Sequence, residues 1–209
     1  PEGQRTGRGK ALVNLLPLAG DERVTAVIPV REFQPDRYLF FATRGGTVAK
    51  VPLDEFSRPR QTGINAIKLR HDDALVDVKM TDGNQELILT TRFGQSLRFH
   101  EDSVRPVHRN AMGVRGIRLR NGDALQSVTA VEGDHLLTIT EQGFGKRTEF
   151  DEFRGHGRGT LGVRNIVADA RGGTVVGSIA VYENDEIIVM SASGIVIRTK
   201  VSEISIQKR

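Results

Sequence analysis

Apolar positions along the chain come in runs of four to six, rich in branched aliphatic residues and bounded by glycine or acidic turn pairs. Runs of that length suit a strand and are too short for a helix, and no window of eleven residues keeps a helical period. The pairs Asp82-Gly83, Asn121-Gly122 and Glu132-Gly133 mark where strands end. Four stretches share one design: YLFFATRGGTVAKVPLDEF (38–56), ELILTTRFGQSLRFHEDSV (86–104), HLLTITEQGFGKRTEFDEF (135–153) and EIIVMSASGIVIRTKVSEI (186–204). Each predicts an apolar strand, a tight turn at Gly46, Gly94, Gly143 or Gly194, a second strand, and a polar-apolar pair. The turn glycines lie 48, 49 and 51 residues apart, and four residues beyond each stands a cation: Lys50, Arg98, Arg147 and Arg198.

The intervening segments repeat as well. RGKALVNLLPL, TGINAIKLRHDDALVDV, MGVRGIRLRNGDALQSV and LGVRNIVADARGGTVVGS align on Gly9, Gly63, Gly113 and Gly162, spaced 54, 50 and 49. A period near fifty residues with four short strands matches a β-propeller blade, in which radial repetition leaves only short sheet edges. The expected architecture is therefore all-β, a propeller-like disc with about four recognisable blades in one repeat domain over residues 1–209. Its divisions are a half repeat 1–37, full repeats 38–84, 85–134 and 135–185, and a partial repeat 186–209. Two unrelated β-sandwiches are the alternative, but two glycine registers agreeing over four copies count against it.

Charge changes this picture most. The net charge of +4 conceals a polarised chain. Between each hairpin and the next strand runs a link, residues 5–10, 57–70, 105–120 and 154–164. These 47 positions hold 15 of the 30 Lys and Arg, with His108 and His156, and none of the 26 acidic residues. If the units are blades, equivalent links form one basic band, the electrostatic footprint of a polyanion. Glycines in the links would let backbone N–H groups approach phosphates closely.

Composition narrows the partner. With nine Phe, two Tyr and no Trp, and with Phe40, Phe41, Phe56, Phe99, Phe150 and Phe153 at strand or turn positions that core packing explains, base stacking on single strands is disfavoured. No recognition helix or zinc-finger spacing offers sequence-specific reading. Duplex DNA held through its backbone and deformability remains. Zero cysteines exclude a disulfide framework and fit a reducing, cytoplasmic setting; no run approaches the eighteen apolar residues of a membrane span.

Enzyme signatures fail on context. GRGTLG (157–162) satisfies G-x-G-x-x-G but follows a basic link and precedes a strand pattern. The lysines of GRGK and GFGK lack the remainder of a phosphate-binding loop. His71, His100, His108, His135 and His156 show no metal-ligand spacing. Acidic pairs recur once per unit, whereas catalysis would need one special site. No cofactor is expected.

Several of these strings resemble a known family, the C-terminal domain of the A chain of DNA gyrase, which is a type IIA topoisomerase. RTGRGKALVNLLPL with ERVTAVIPV, ATRGGTVAKVPLDEFSRPR, RFHEDSVRPVHRNAMGVRGIRLRNGD and TEQGFGKRTEFDEF look like its successive blades. The resemblance implies a β-pinwheel whose blades exchange strands. It implies a basic rim that wraps duplex DNA with little base preference, in support of negative supercoiling driven by ATP on the gyrase B protein in a heterotetramer. It implies that this chain is not itself an enzyme, since the family's catalytic tyrosine lies in an N-terminal region. It also implies that QRTGRGK (4–10) is the second blade's counterpart of the family's basic box, which would lie upstream. A nucleoid-associated cytoplasmic location follows. The leading phosphate partners are Arg5, Arg8, Lys10, Arg58, Arg60, Arg105, Arg109, Arg115, Arg154, Arg158 and Arg164. Lys50, Arg98, Arg147 and Arg198 are secondary, because a recurrent cation can equally pair with nearby acids. The competing reading is a protein-interaction propeller whose band meets an acidic partner.

Overall fold

A computed structural model describes residues 22–60 and 62–209. Its strands are β1 (Tyr38–Thr43), β2 (Thr47–Pro52), β3 (Leu75–Thr81), β4 (Glu86–Thr91), β5 (Gln95–His100), β6 (Val114–Arg115), β7 (Leu125–Ala130), β8 (His135–Thr140), β9 (Gly145–Glu149), β10 (Val163–Arg164), β11 (Val175–Val181), β12 (Glu186–Met190) and β13 (Val196–Lys200). Among the described residues the only helical segments are 3-10 turns of three or four residues, Leu53–Phe56, Glu101–Ser103, Phe150–Glu152 and Val201–Glu203. None is long and apolar enough to cross a membrane.

Four antiparallel sheets follow the four predicted hairpins, in the orders β3-β1-β2-β6, β7-β4-β5-β10, β11-β8-β9 and β12-β13. Within a unit, the hairpin pairs with the strand that follows its link. The fourth strand is taken from elsewhere: β6 comes from the second unit's link and lies on β2 of the first, with Val114 opposite Val48 and Arg115 opposite Thr47. In the same way β10, from the third link, lies on β5, with Val163 opposite Ser96. This is the strand exchange of a β-pinwheel.

Residues 22–37 hold no strand although ERVTAVIPV reads as one. Its counterparts β3, β7 and β11 pair with the first hairpin strand of their own unit.

The core lies between the blades. Phe40 and Ala42 on β1 face forward onto Leu87, Leu89, Leu97 and Phe99 of the second sheet. Phe41 points the other way, with Ala49, Val51 and Val78. On β4, Ile88 turns forward onto Leu136, Phe150 and Phe153, and on β8, Leu137 meets Val181 and Val201. Every first hairpin strand in the first three units is thus covered on both faces. That is why YLFFAT, ELILTT and HLLTIT are continuous apolar runs instead of an alternation. Each such leucine or phenylalanine contributes about 1.5 to 3 kcal/mol by leaving water. The expected Phe positions are core: Phe40, Phe41, Phe99, Phe150 and Phe153 are buried and Phe56 half-buried.

Candidate nucleic-acid interface

The links 105–120 and 154–164, and the segment after the last hairpin, each enter along the second hairpin strand of the preceding blade. The amides of Val107, His156 and Gln207 donate to the carbonyls of Lys50, Arg98 and Arg147 at 2.8, 2.9 and 2.8 Å. The chain then bulges outward and returns as the exchanged strand. Gly113 and Gly162 make the return: both have positive φ, and a Cβ on either would sit 2.3 or 2.4 Å from the carbonyl oxygen of Val48 or Ser96. Only glycine allows backbone that close.

The bulge of one link bonds to the link before it. Asn110 and Lys68 exchange hydrogen bonds with Ala66 and Ala111, each 2.9 Å. One unit later, Gly159 donates to Gly116 at 2.6 Å and Arg118 to Thr160 at 2.8 Å. Consecutive links are therefore stitched edge to edge, and their cations lie on one connected surface.

Along that surface Arg58, Arg60, Arg105, Arg115, Arg154 and Arg164 are exposed, and none of them has an ion-pair partner among the described residues. Arg109 and Arg158 are half-buried and act partly as fasteners. The Arg158 guanidinium donates to the carbonyls of Ser103 and Arg115 at 2.9 and 3.1 Å, and Arg109 reaches Asn65 and Glu55. Arg5, Arg8 and Lys10 lie outside the described residues. Four further exposed cations, Lys68, Arg70, Arg118 and Arg120, counted in the links, are not among the phosphate partners named from the sequence. Their signal is present in the aligned strings IKLR and IRLR, fifty residues apart.

The secondary candidates divide. Lys50 and Arg147 are each 3 % exposed, and Arg98 is half-buried, so the placement of these three favours the alternative that a recurrent cation carries, pairing inside the molecule. Lys50 Nζ donates to the Glu101 carbonyl at 3.0 Å, with the buried Glu101 carboxylate 3.7 Å away. Arg98 pairs with Glu86 and donates to the carbonyl of Phe150 at 2.8 Å. Arg147 pairs with Glu183 and donates to the carbonyls of Ile204 and Ser202. In each case a cation on one blade donates to carbonyls at the 3-10 turn of the next: to Glu101 and Phe150, which also accept from the amides of Val104 and Phe153, and to Ser202 and Ile204. Arg198, at the same place in the last unit, pairs with Glu186 and stays exposed.

One acid borders the band. Partial burial opposes ionisation of Glu55. The hydrogen bond from the Arg109 amide, and the hydrogen bond and charges of His108 and Arg109, outweigh it and hold the carboxyl below its ordinary 4.5. A depressed carboxylate stabilises the fold above that value and stops doing so as pH falls through its folded pKa. Acid unfolding followed by fluorescence or circular dichroism should therefore begin at higher pH in the native protein than in Glu55→Gln, relative to each protein's neutral stability. Identical profiles would remove this role.

No group of histidine and carboxylate side chains suited to a metal occurs among the described residues. GRGTLG lies in a link and is followed by the two-residue β10, not by a helix. A cleft along β9, lined by Phe144, Lys146, Arg164, Arg171 and Lys208, marks an edge on which no exchanged strand lies among the described residues. Burial pushes the Lys146 ammonium to lower pKa, opposed by Glu152.

Comparison with known proteins agrees with this geometry. The chain is 46 % identical over its whole length to the gyrase A protein of Escherichia coli, 45 % to that of Salmonella typhimurium, and 42 % over 98 % of its length to that of Haloquadratum walsbyi. It spans about a quarter of those relatives, 24 to 25 %. Among solved structures it superimposes on a C-terminal domain of DNA topoisomerase IV with TM-score 0.89 at 30 % identity, covering 96 % of this chain and 64 % of the other. It matches a DNA gyrase A C-terminal domain with TM-score 0.87 at 27 % identity, covering 96 % and 68 %. The family described as DNA gyrase C-terminal domain, beta-propeller, matches at residues 1–31, 37–82, 85–132, 134–181 and 185–209, and with its strand-exchanged blades and stitched links the chain belongs to that family.

Proposed function

We propose that this chain binds duplex DNA along the stitched links, bends it and wraps it with little base preference. In the whole protein the wrap supports ATP-dependent negative supercoiling. The catalytic tyrosine and the ATPase belong to other segments, the latter to the gyrase B protein in a heterotetramer that works in the cytoplasm on the nucleoid. The chain itself performs no catalysis and needs no cofactor. The observation that carries this reading is the band of exposed, unpaired cations held in repeat register by link-to-link hydrogen bonds. Phosphates of a curved duplex are the anions that meet such a band one blade at a time, and each neutralised phosphate releases counterions.

A nicked circular plasmid is incubated with the protein, ligated and deproteinised. The linking number is expected to shift in proportion to protein bound, and duplex affinity to fall steeply between about 50 and 200 mM salt. An unchanged linking number would rule out wrapping. Affinity for an acidic protein with no effect on DNA topology would favour a protein-interaction propeller instead.

A further inference from the structure

We propose that the link band is two rows of cations, and that Lys68, Arg70, Arg118 and Arg120 hold phosphates of one DNA strand while Arg58, Arg60, Arg105 and Arg154 hold the other. The inference rests on the duplex-binding reading above and divides its surface. The first row leaves the 3-10 turns: Arg58 and Arg60 follow Leu53–Phe56, Arg105 follows Glu101–Ser103, and Arg154 follows Phe150–Glu152. The second row lies past the exchanged strand, at the hairpin-turn end of the blade. The amides of Gly116 and Ile117 donate to the Gly46 carbonyl at 2.8 and 3.2 Å, and Arg118 and Arg120 come just beyond.

The four second-row side chains are exposed. None makes a side-chain hydrogen bond or ion pair among the described residues. Their backbone, in contrast, is fixed. Lys68 and Arg118 donate to Ala111 and Thr160 of the following link, and the carbonyls of Arg70 and Arg120 accept from the amides of Asp73 and Asp123 at 3.2 and 3.1 Å. Rigidly placed cations with nothing to pair with inside the molecule are placed for an external anion.

The spacing says which anion. Pro106 stands opposite Lys50, and Gly116 is bonded to Gly46. In the second link the two rows therefore begin at levels four residues apart, from Lys50 back to Gly46, about 13 Å at a strand's rise. The minor groove of B-DNA is about 6 Å wide, and the thickness of the two phosphates brings the phosphorus-to-phosphorus span to about 12 Å. Two rows so spaced face the two strands across one groove, which a single-stranded polyanion does not offer. In the third link the equivalent positions are Val167 and Asp169, and Asp169 is turned to the amides of Arg171 and Gly172, so the second row is strongest over the first two links.

The test compares an ordinary duplex with one in which a single strand carries neutral methylphosphonates. The full chain is used with Lys68, Arg70, Arg118 and Arg120 all changed to Gln, and separately with Arg58, Arg60, Arg105 and Arg154 all changed to Gln. Each variant should lose about 3.5 from the salt slope on the ordinary duplex. On the half-neutral duplex each should bind within about two-fold of the unsubstituted chain, because the surviving row takes the charged strand and the deleted row would have faced neutral backbone. Equal losses on both duplexes, or no loss from the second-row variant on the ordinary duplex, overturn the two-row assignment. Binding without salt dependence by the unsubstituted chain overturns the duplex reading, and the rows with it.

Discussion

Arg147→Ala should cost the fold about 2 to 4 kcal/mol, since it removes a buried guanidinium and leaves partly buried carbonyls without their charged donor, yet leave the salt slope of duplex binding unchanged. The residue is 3 % exposed, and its guanidinium pairs with Glu183 and donates to the carbonyls of Ile204 at 2.7 Å and Ser202 at 3.3 Å. Glu183 keeps much of its hydration, so the loss falls mainly on the two carbonyls of the next unit's 3-10 turn. Urea unfolding gives the stability, and binding isotherms at several salt concentrations give the slope. The reverse pattern, a slope lowered by about one with stability unchanged, would return Arg147 to the phosphate partners. Arg98 should behave alike. Arg105→Ala, exposed and unpaired, should show that reverse pattern.

Gly162→Ala is the second large effect. The residue has φ +69, and an added Cβ would lie 2.4 Å from the Ser96 carbonyl oxygen and 3.1 Å from the Leu97 Cβ. The left-handed backbone alone costs an L-residue about 1 to 2 kcal/mol. The clash adds to this by pushing β10 off β5, so a total beyond about 3 kcal/mol is expected. Gly63→Ala isolates the two causes: φ is +80 there, but nothing among the described residues lies within 4 Å of the added carbon. It should cost only the conformational part. Chemical denaturation of both variants, with hydrogen exchange of the Val163 and Asn165 amides, measures the difference. Equal costs would show that the close approach of the exchanged strand contributes nothing.

Both predictions turn on residues whose period was legible and whose role was not. The four hairpins, their turn glycines and the link glycines stand in the repeat, and the structure has a hairpin at each. The cation four residues after each turn glycine was equally visible. Its task was not, because what it donates to lies about fifty residues away: Glu101 for Lys50, Phe150 for Arg98, Ile204 for Arg147. Spacing alone cannot separate a cation aimed at the next blade from one aimed at solvent. For the links the difficulty ran the other way. Their freedom from acids was plain, but Lys68, Arg70, Arg118 and Arg120 sit within strings that look like the approach to a strand, and only their exposure distinguishes them.

What the sequence determined by itself is the unit: apolar runs of strand length, glycine where φ must be positive, and an acid-free link once per period. Those are local properties, set by side-chain size, backbone sterics and charge within a few residues. Tertiary structure decided which edge each link would close and which cations would remain free. A two-residue strand such as Val114–Arg115 has too little local preference to choose a partner; β2 chooses it, through an unpaired edge and a glycine that admits close approach. Burial against the next blade then divides one recurrent set of basic residues into latches that are buried and a band that meets solvent.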